Sequence, residues 1–135
     1  MHRLLASRPH GWIEAAATAN AGWYSLPDLG VAYPQGLGGI GLAEPDVMRL
    51  LTFPLDIFVG DEDTGPDGPD VPPAALAQGK HRLARAHYFL AQGQAAAAQR
   101  GVNCPWRLVV APGIGHKGKY MSHFAGRFWF GGGAG

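Results

Sequence analysis

Cysteine is almost missing from this chain: Cys104 is the single one in 135 residues. One thiol excludes an internal disulfide and any zinc site built on several thiolates. Long apolar runs are missing too. No stretch reaches the roughly 18 residues needed to cross a bilayer. The first ten residues offer only Leu4-Leu5-Ala6 before Ser7-Arg8-Pro9, which is not the apolar centre of a signal peptide. The compartment therefore stays open. Acids are absent from residue 71 onward, where eight bases stand alone, whereas the first 70 residues hold all ten acids and three bases. The halves carry −7 and +8, and the chain nets +1. Such segregation invites an anion-binding reading. Lys80, Arg82 and Arg85, however, fall within one helical segment, where a basic face is ordinarily solvated. No aromatics alternate with them as a single-strand binder requires, so no nucleic-acid partner is expected, and no membrane partner either.

Glycine and proline are abundant, at 21 and 11 residues. They imply many turns but show no collagen period. With 47% hydrophobic and 16% charged residues the chain is globular rather than disordered. Its length suits one domain with one core, here expected over 1–130, with Gly131–Gly135 as a flexible tail.

Residues 2–8 read as the end of a helix stopped by Pro9 and Gly11. Ile13–Asn20, a small-residue run bounded by glycines, suits a buried strand. Residues 22–43 carry six glycines and two prolines and read as loop. Glu44–Thr52 reads as a short helix: Pro45 suits its first turn, and Val47, Leu50 and Leu51 share a face. Phe53–Gly60 is bulky and β-rich and runs into the acidic turn DEDTGPDGPD. Over 74–100 the spacing of Leu83, Ala86, Leu90 and Ala97 predicts a helix, weakened at Gly79 and Gly93. Trp106–Ala111 is a second bulky strand ending in PGIGH, and 119–130 is a last helix. Alternating strands and helices predict an α/β fold: a three-stranded parallel sheet with flanking helices. In such folds chemistry sits just beyond the carboxyl ends of the strands.

Two of those ends carry titratable groups. Gly60-Asp61-Glu62-Asp63 presents a carboxylate at the rim. Pro112-Gly113-Ile114-Gly115-His116 presents an imidazole, with glycines that allow a sharp bend. A strand–helix–strand unit sets the two rims side by side. A carboxylate on one imidazole nitrogen fixes the tautomer and leaves the other nitrogen free as a general base. The same spacing also suits a solvated acidic turn and a solvated histidine, and the residues alone leave both open. Gly36-Leu37-Gly38-Gly39-Ile40-Gly41 is a literal G-x-G-x-x-G with Asp61 twenty residues on, the dinucleotide-binding spacing. Its context is poor: Pro34 interrupts the preceding segment, and the helix that follows is short. The acids Asp61, Glu62, Asp63, Asp67 and Asp70 fail the calcium-loop pattern, since its fifth and sixth positions fall on Gly65 and Pro66. The six histidines form no ligand motif, so no metal is expected.

The segments GDEDT, AQGKHRLARAHYFLAQGQAAAAQR and WRLVVAPGIGH followed by Met121, with ANAGWYSLPD upstream, resemble the C-terminal half of α/β-hydrolase fold enzymes. The nearest subgroup is the esterases similar to polyhydroxyalkanoate depolymerases. The resemblance runs from about Met1 to Phe130. It implies a serine hydrolase acting on small-molecule or polyester esters without a cofactor, with Asp63 as the triad acid and His116 as the base. Trp23 and Tyr24, after the first strand, suit two roles equally: lining an acyl pocket, since apolar walls suit such substrates, or capping the core.

One departure is large. No Gly-x-Ser-x-Gly occurs, and Ser7, Ser25 and Ser122 sit at no strand-to-helix elbow. The nucleophile and both oxyanion donors would be missing, so the chain as given is expected to be inactive alone: a C-terminal portion of such an enzyme. The first strand would be an exposed apolar edge prone to self-association. The rival readings are a non-catalytic α/β binding or interaction module and a dinucleotide-binding protein.

Overall fold

In a computed structural model of the chain, the residues described are 16–19, 21, 23–65 and 72–113. The helix end expected at 2–8, the helix at 119–130, the tail at 131–135 and His116 lie outside them. The described elements are strand β1 (Ala16–Ala19), helix α1 (Glu44–Thr52), strand β2 (Leu55–Gly60), the single turn α2 (Pro73–Leu76), helix α3 (Arg82–Gln99) and strand β3 (Arg107–Ala111). The strands pair in the order β1-β2-β3, and both pairings are parallel.

β2 occupies the middle, and all six of its residues are buried. A parallel strand covered on both faces is expected to read as an unbroken apolar run rather than an alternating one. Leu55, Ile57, Phe58 and Val59 follow that rule. Asp56, the exception, is 6% exposed. It is register partner to Arg107 on β3, whose Nε and one terminal nitrogen each donate to a carboxylate oxygen at 2.8 Å. This fork locks the register at the end of the sheet opposite the acidic turn.

α1 runs over the residues its sequence predicts. The Asp46 carboxylate accepts the Ala43 N–H, Pro45 sits in the first turn, and Val47, Leu50 and Leu51 face inward. The expected 74–100 helix is divided. Gly79, at φ +152°, turns the chain away from helical geometry. The helix restarts at Arg82, where the His81 imidazole caps it by accepting the Ala84 N–H at 3.0 Å. An added Cβ on Gly79 would also stand 2.9 Å from the Ala84 side chain. A residue without a side chain is thus needed here on two counts.

The buried stripe of α3 is Arg85, Ala86, Phe89, Gly93 and Ala97; Ala86 and Ala97 belong to the predicted spacing, while Leu83 and Leu90 are half-buried and pack against the core from the edge of the stripe. Trp106 closes over the middle of this stripe. Its ring packs over Gly93 so closely that a Cβ there would lie 2.3 Å from a ring carbon. Its indole N–H donates to the Leu50 carbonyl at 3.1 Å, which ties the start of β3 to α1. Tyr24 stacks on Phe89 with centroids 4.4 Å apart, and Phe89 on Trp106 at 4.6 Å. This aromatic column, with Leu37, Leu50, Leu51, Ile57 and Val59, is the core.

The glycine-rich segment is a closed loop. Gly36 and Gly38 lie against the backbone carbonyls of Val31 and Leu29, at 2.3 and 2.6 Å from where a Cβ would be. Gly38 makes only an isolated bridge with Ala32. The strand-then-helix context that a G-x-G-x-x-G phosphate cradle needs is not formed, and α1 begins three residues after Gly41.

Candidate functional site

The site is built where β2 and β3 end. Gly60 and Ala111, their last residues, are partners in register, so the acidic turn and the PGIGH turn leave the sheet side by side. Two further bonds tie these turns. The Asp61 N–H donates to the Ala111 carbonyl at 3.0 Å, and the Asp61 carboxylate accepts the Gly113 N–H at 2.9 Å. Gly113 has φ +71°, the left-handed conformation open to glycine at little cost. Asp61 thus fixes the base of the turn that carries His116, while His116 itself lies outside the described residues.

Asp63 points the other way, into the protein. The turn is closed by the Asp63 N–H donating to Gly60 at 3.1 Å, and the Asp63 carbonyl accepts the Leu83 N–H at 3.2 Å. Its side chain is 2% exposed and lies 3.6 Å from the Arg82 guanidinium, itself 14% exposed. Such burial of a carboxylate demands compensation by partners, and the start of α3 supplies it. Asp61 and Glu62 are exposed. Asp63 is therefore the acid of the three that is held in a buried setting.

Tyr24 is fully buried, its ring against Phe89. Burial pushes the Tyr24 hydroxyl well above its ordinary range, and the nearby Asp63 charge adds to the rise. Its backbone is gripped at both ends by Gln78. The Tyr24 N–H donates to the Gln78 side-chain oxygen at 3.0 Å, and the Gln78 amide nitrogen donates to the Tyr24 carbonyl at 2.8 Å. Trp23, next in line, is half-buried. Cys104 is half-buried as well, and burial pushes its thiol up, which suits a passive residue rather than a nucleophile.

Three residues of this neighbourhood escaped the sequence reading. Gln78 carries no pattern that would mark it. Arg82 and Arg85 were expected on a solvated face, and that expectation is overturned. Arg85 is fully buried, with its Nε donating to the Gly79 carbonyl at 2.9 Å, and Arg82 faces Asp63. A signal for both existed: four residues back from Ala86 and Phe89 along the buried stripe are Arg82 and Arg85.

Among the described residues no group of three His, Cys, Asp or Glu side chains is placed to hold a metal ion. No described helix is long and apolar enough to cross a membrane. A polar surface groove lies away from this rim, between Pro27 and Asp28 on one side and the last two turns of α3 with Arg100 on the other.

No protein-family model matches the chain, and no curated protein matches it. Solved structures do. The chain is similar to LpqC, a poly(3-hydroxybutyrate) depolymerase from Bordetella parapertussis, at 47% identity and a TM-score of 0.92 over 97% of its own length. It is also similar to poly(aspartic acid) hydrolase-1 from Sphingomonas sp. KT-1, at 36% identity and a TM-score of 0.85 over 92% of its length. It spans about half of each: 46% of the first chain and 48% of the second.

Proposed function

This chain belongs to the α/β-hydrolase fold family, beside its depolymerases, and we propose that it is the C-terminal portion of a serine esterase, supplying the acid and the base of the triad. In this reading Asp63 is the acid and His116 the base. Asp63 orients the imidazole and stabilises its protonated form, and the free nitrogen takes the proton from an attacking serine hydroxyl. The serine oxygen bonds to the ester carbonyl carbon. Collapse of the adduct expels the alcohol, which receives that proton from the imidazolium. Water, deprotonated by the same imidazole, then cleaves the acyl-enzyme. Trp23 is the accessible part of the acyl-side wall, and Tyr24 supports it from the core. The substrate class is an ester of repeating hydroxyacid units, by analogy with the first neighbour.

One observation carries this reading: β2 and β3 end in register at Gly60 and Ala111, so the turns bearing Asp63 and His116 start from one rim. These 135 residues contain no Gly-x-Ser-x-Gly. Without a nucleophile the residual rate of such a site is small, so the chain tested alone should not turn over esters. Mixed with the complementary half of a related depolymerase, it should restore p-nitrophenyl ester hydrolysis, and His116→Ala or Asp63→Asn should abolish that activity. Activity that persists in His116→Ala would remove the assignment.

A further inference from the structure

Gln78 stands between α2 and α3, 54 positions from the tyrosine it meets, and is 4% exposed. Its side-chain oxygen accepts the Tyr24 N–H at 3.0 Å, and its side-chain nitrogen donates to the Tyr24 carbonyl at 2.8 Å. The N–H belongs to the peptide plane that joins Trp23 to Tyr24. The carbonyl belongs to the plane that joins Tyr24 to Ser25. Each plane is rigid, so one carboxamide holds the chain on both sides of Tyr24, as a neighbouring strand would. The bonds further along this segment close it on itself: the Ser25 hydroxyl donates to the Pro34 carbonyl at 2.6 Å, and the Leu26 N–H to the Gln35 carbonyl at 2.8 Å. Gln78 reaches the segment from another part of the fold.

Gln78 is itself held. Its N–H donates to the Ala75 carbonyl at 3.0 Å. Gly79, next in the chain, donates to the Leu76 carbonyl at 3.2 Å and accepts from the Arg85 Nε of α3 at 2.9 Å. The Leu83 N–H, near the start of the same helix, donates to the Asp63 carbonyl. The acidic turn and the Tyr24 backbone are thus fastened to one helix end. The sheet brings them together as well. β1 ends at Ala19, register partner of Phe58, two residues before the end of β2. The segment with Trp23 and Tyr24 therefore leaves the sheet at the rim where the acidic turn leaves it.

We propose that Gln78 is a positioning residue for the acyl-side wall: by fixing both peptide planes at Tyr24 it sets the direction in which Trp23 stands, and with it the fit of the acyl part of an ester. The inference rests on the reading of Trp23 as that wall. Stacking on Phe89 fixes the Tyr24 ring, yet a stacked ring leaves the backbone free to turn about the side-chain bonds. The two hydrogen bonds remove that freedom. They need a side chain that donates and accepts at once. Ionised glutamate accepts only, and it would set a negative oxygen against the Tyr24 carbonyl. Protonated glutamate regains the donor, and burial favours that form.

The test is fluorine NMR of the full 135-residue chain labelled with 5-fluorotryptophan, with the Trp23 and Trp106 signals assigned by their loss in Trp23→Phe and Trp106→Phe. Gln78→Met keeps the length of the side chain and removes both bonds. It should shift or broaden the Trp23 signal and leave that of Trp106, which is held by its bond to Leu50. Gln78→Glu should show the wild-type Trp23 signal at low pH and the Gln78→Met signal at high pH, a reversible change that the wild type lacks. This variant also decides the matter should methionine prevent folding. A Trp23 signal unmoved in Gln78→Met, or indifferent to pH in Gln78→Glu, overturns the role. In the enzyme reconstituted with a complementary half, Gln78→Met should raise KM for p-nitrophenyl esters roughly threefold to tenfold, with a smaller loss in kcat. If Trp23→Ala raises KM and Gln78→Met does not, the role given to Gln78 is wrong and the wall stands. If Trp23→Ala leaves KM in place, the wall is removed and the inference with it.

Discussion

At its first residue α3 carries Arg82, whose ion pair with Asp63 has side chains 14% and 2% exposed. One residue past its end, Arg100 pairs with Glu44 of α1, and there the side chains are 23% and 55% exposed. The chemistry is the same, a guanidinium on a carboxylate, and the surroundings differ. Arg100 bonds Glu44 through two nitrogens and also donates to the Ala96 carbonyl at 2.9 Å, yet water competes for every one of these contacts. Arg82 makes a longer contact in a setting where water competes poorly. Burial, more than geometry, sets what an ion pair contributes. The outer pair is a surface latch between two helices. The inner pair is the one whose carboxylate water screens least.

The sharpest way to break the comparison is to remove the cation at the inner end. Arg82→Met leaves Asp63 buried without it and should cost about 3 kcal/mol, read as a lower urea midpoint at unchanged slope. A loss as small as that at an exposed pair would place both ends in the same class.

The second prediction concerns the tyrosine beside the inner pair. Its folded-state pKa lies above the ordinary value near 10, by burial first and by the Asp63 charge second. A raised folded pKa means that the unfolded chain releases this proton first. The stability Tyr24 contributes is therefore complete below pH 10 and is lost as pH rises from there toward the folded value. Thermal melts of the wild type should fall steeply above pH 10, and Tyr24→Phe should flatten that fall. An equal fall in both would show that Tyr24 is not the group responsible.

The smallest effect belongs to the outer end. The bond from Arg100 holds the Glu44 carboxyl below the usual glutamate range. A depressed folded pKa contributes stability above the ordinary value, lost as pH falls through the folded one. Glu44 is exposed and screened, so Glu44→Gln should leave the urea midpoint at pH 7 within error, and raising the salt concentration should erase any remainder. A clear loss that persists in high salt would mean that this latch is stronger than its exposure allows.

Much of the frame was legible in the residues. Glu44–Thr52 announced itself by Pro45 and by its apolar face, and α1 has those bounds. The bulky, β-rich run of Phe53–Gly60 marked a strand, and β2 occupies most of it. The expected strands at 53–60 and 106–111 are each shortened at the start, to Leu55 and Arg107. Of the candidate site, the acidic turn could be placed at the rim from the sequence because the strand before it ends there, whereas the choice of Asp63 within that turn came from the family resemblance. The lining around it could not be placed. Gln78 meets Tyr24 from 54 positions away, and neither residue carries a local mark of the other.

The sequence by itself determined which segments are helical or extended, because periodicity, proline placement and turn glycines act between neighbours in the chain. Only the tertiary structure decided how far around α3 burial extends. Trp106 closes over Gly93, and Tyr24 and Phe89 complete the column. That contact set extends the stripe through Phe89 and Gly93 and takes Arg85 inward with it. The burial of a charge depends on what packs against it from distant parts of the chain, and helical periodicity alone contains no record of that.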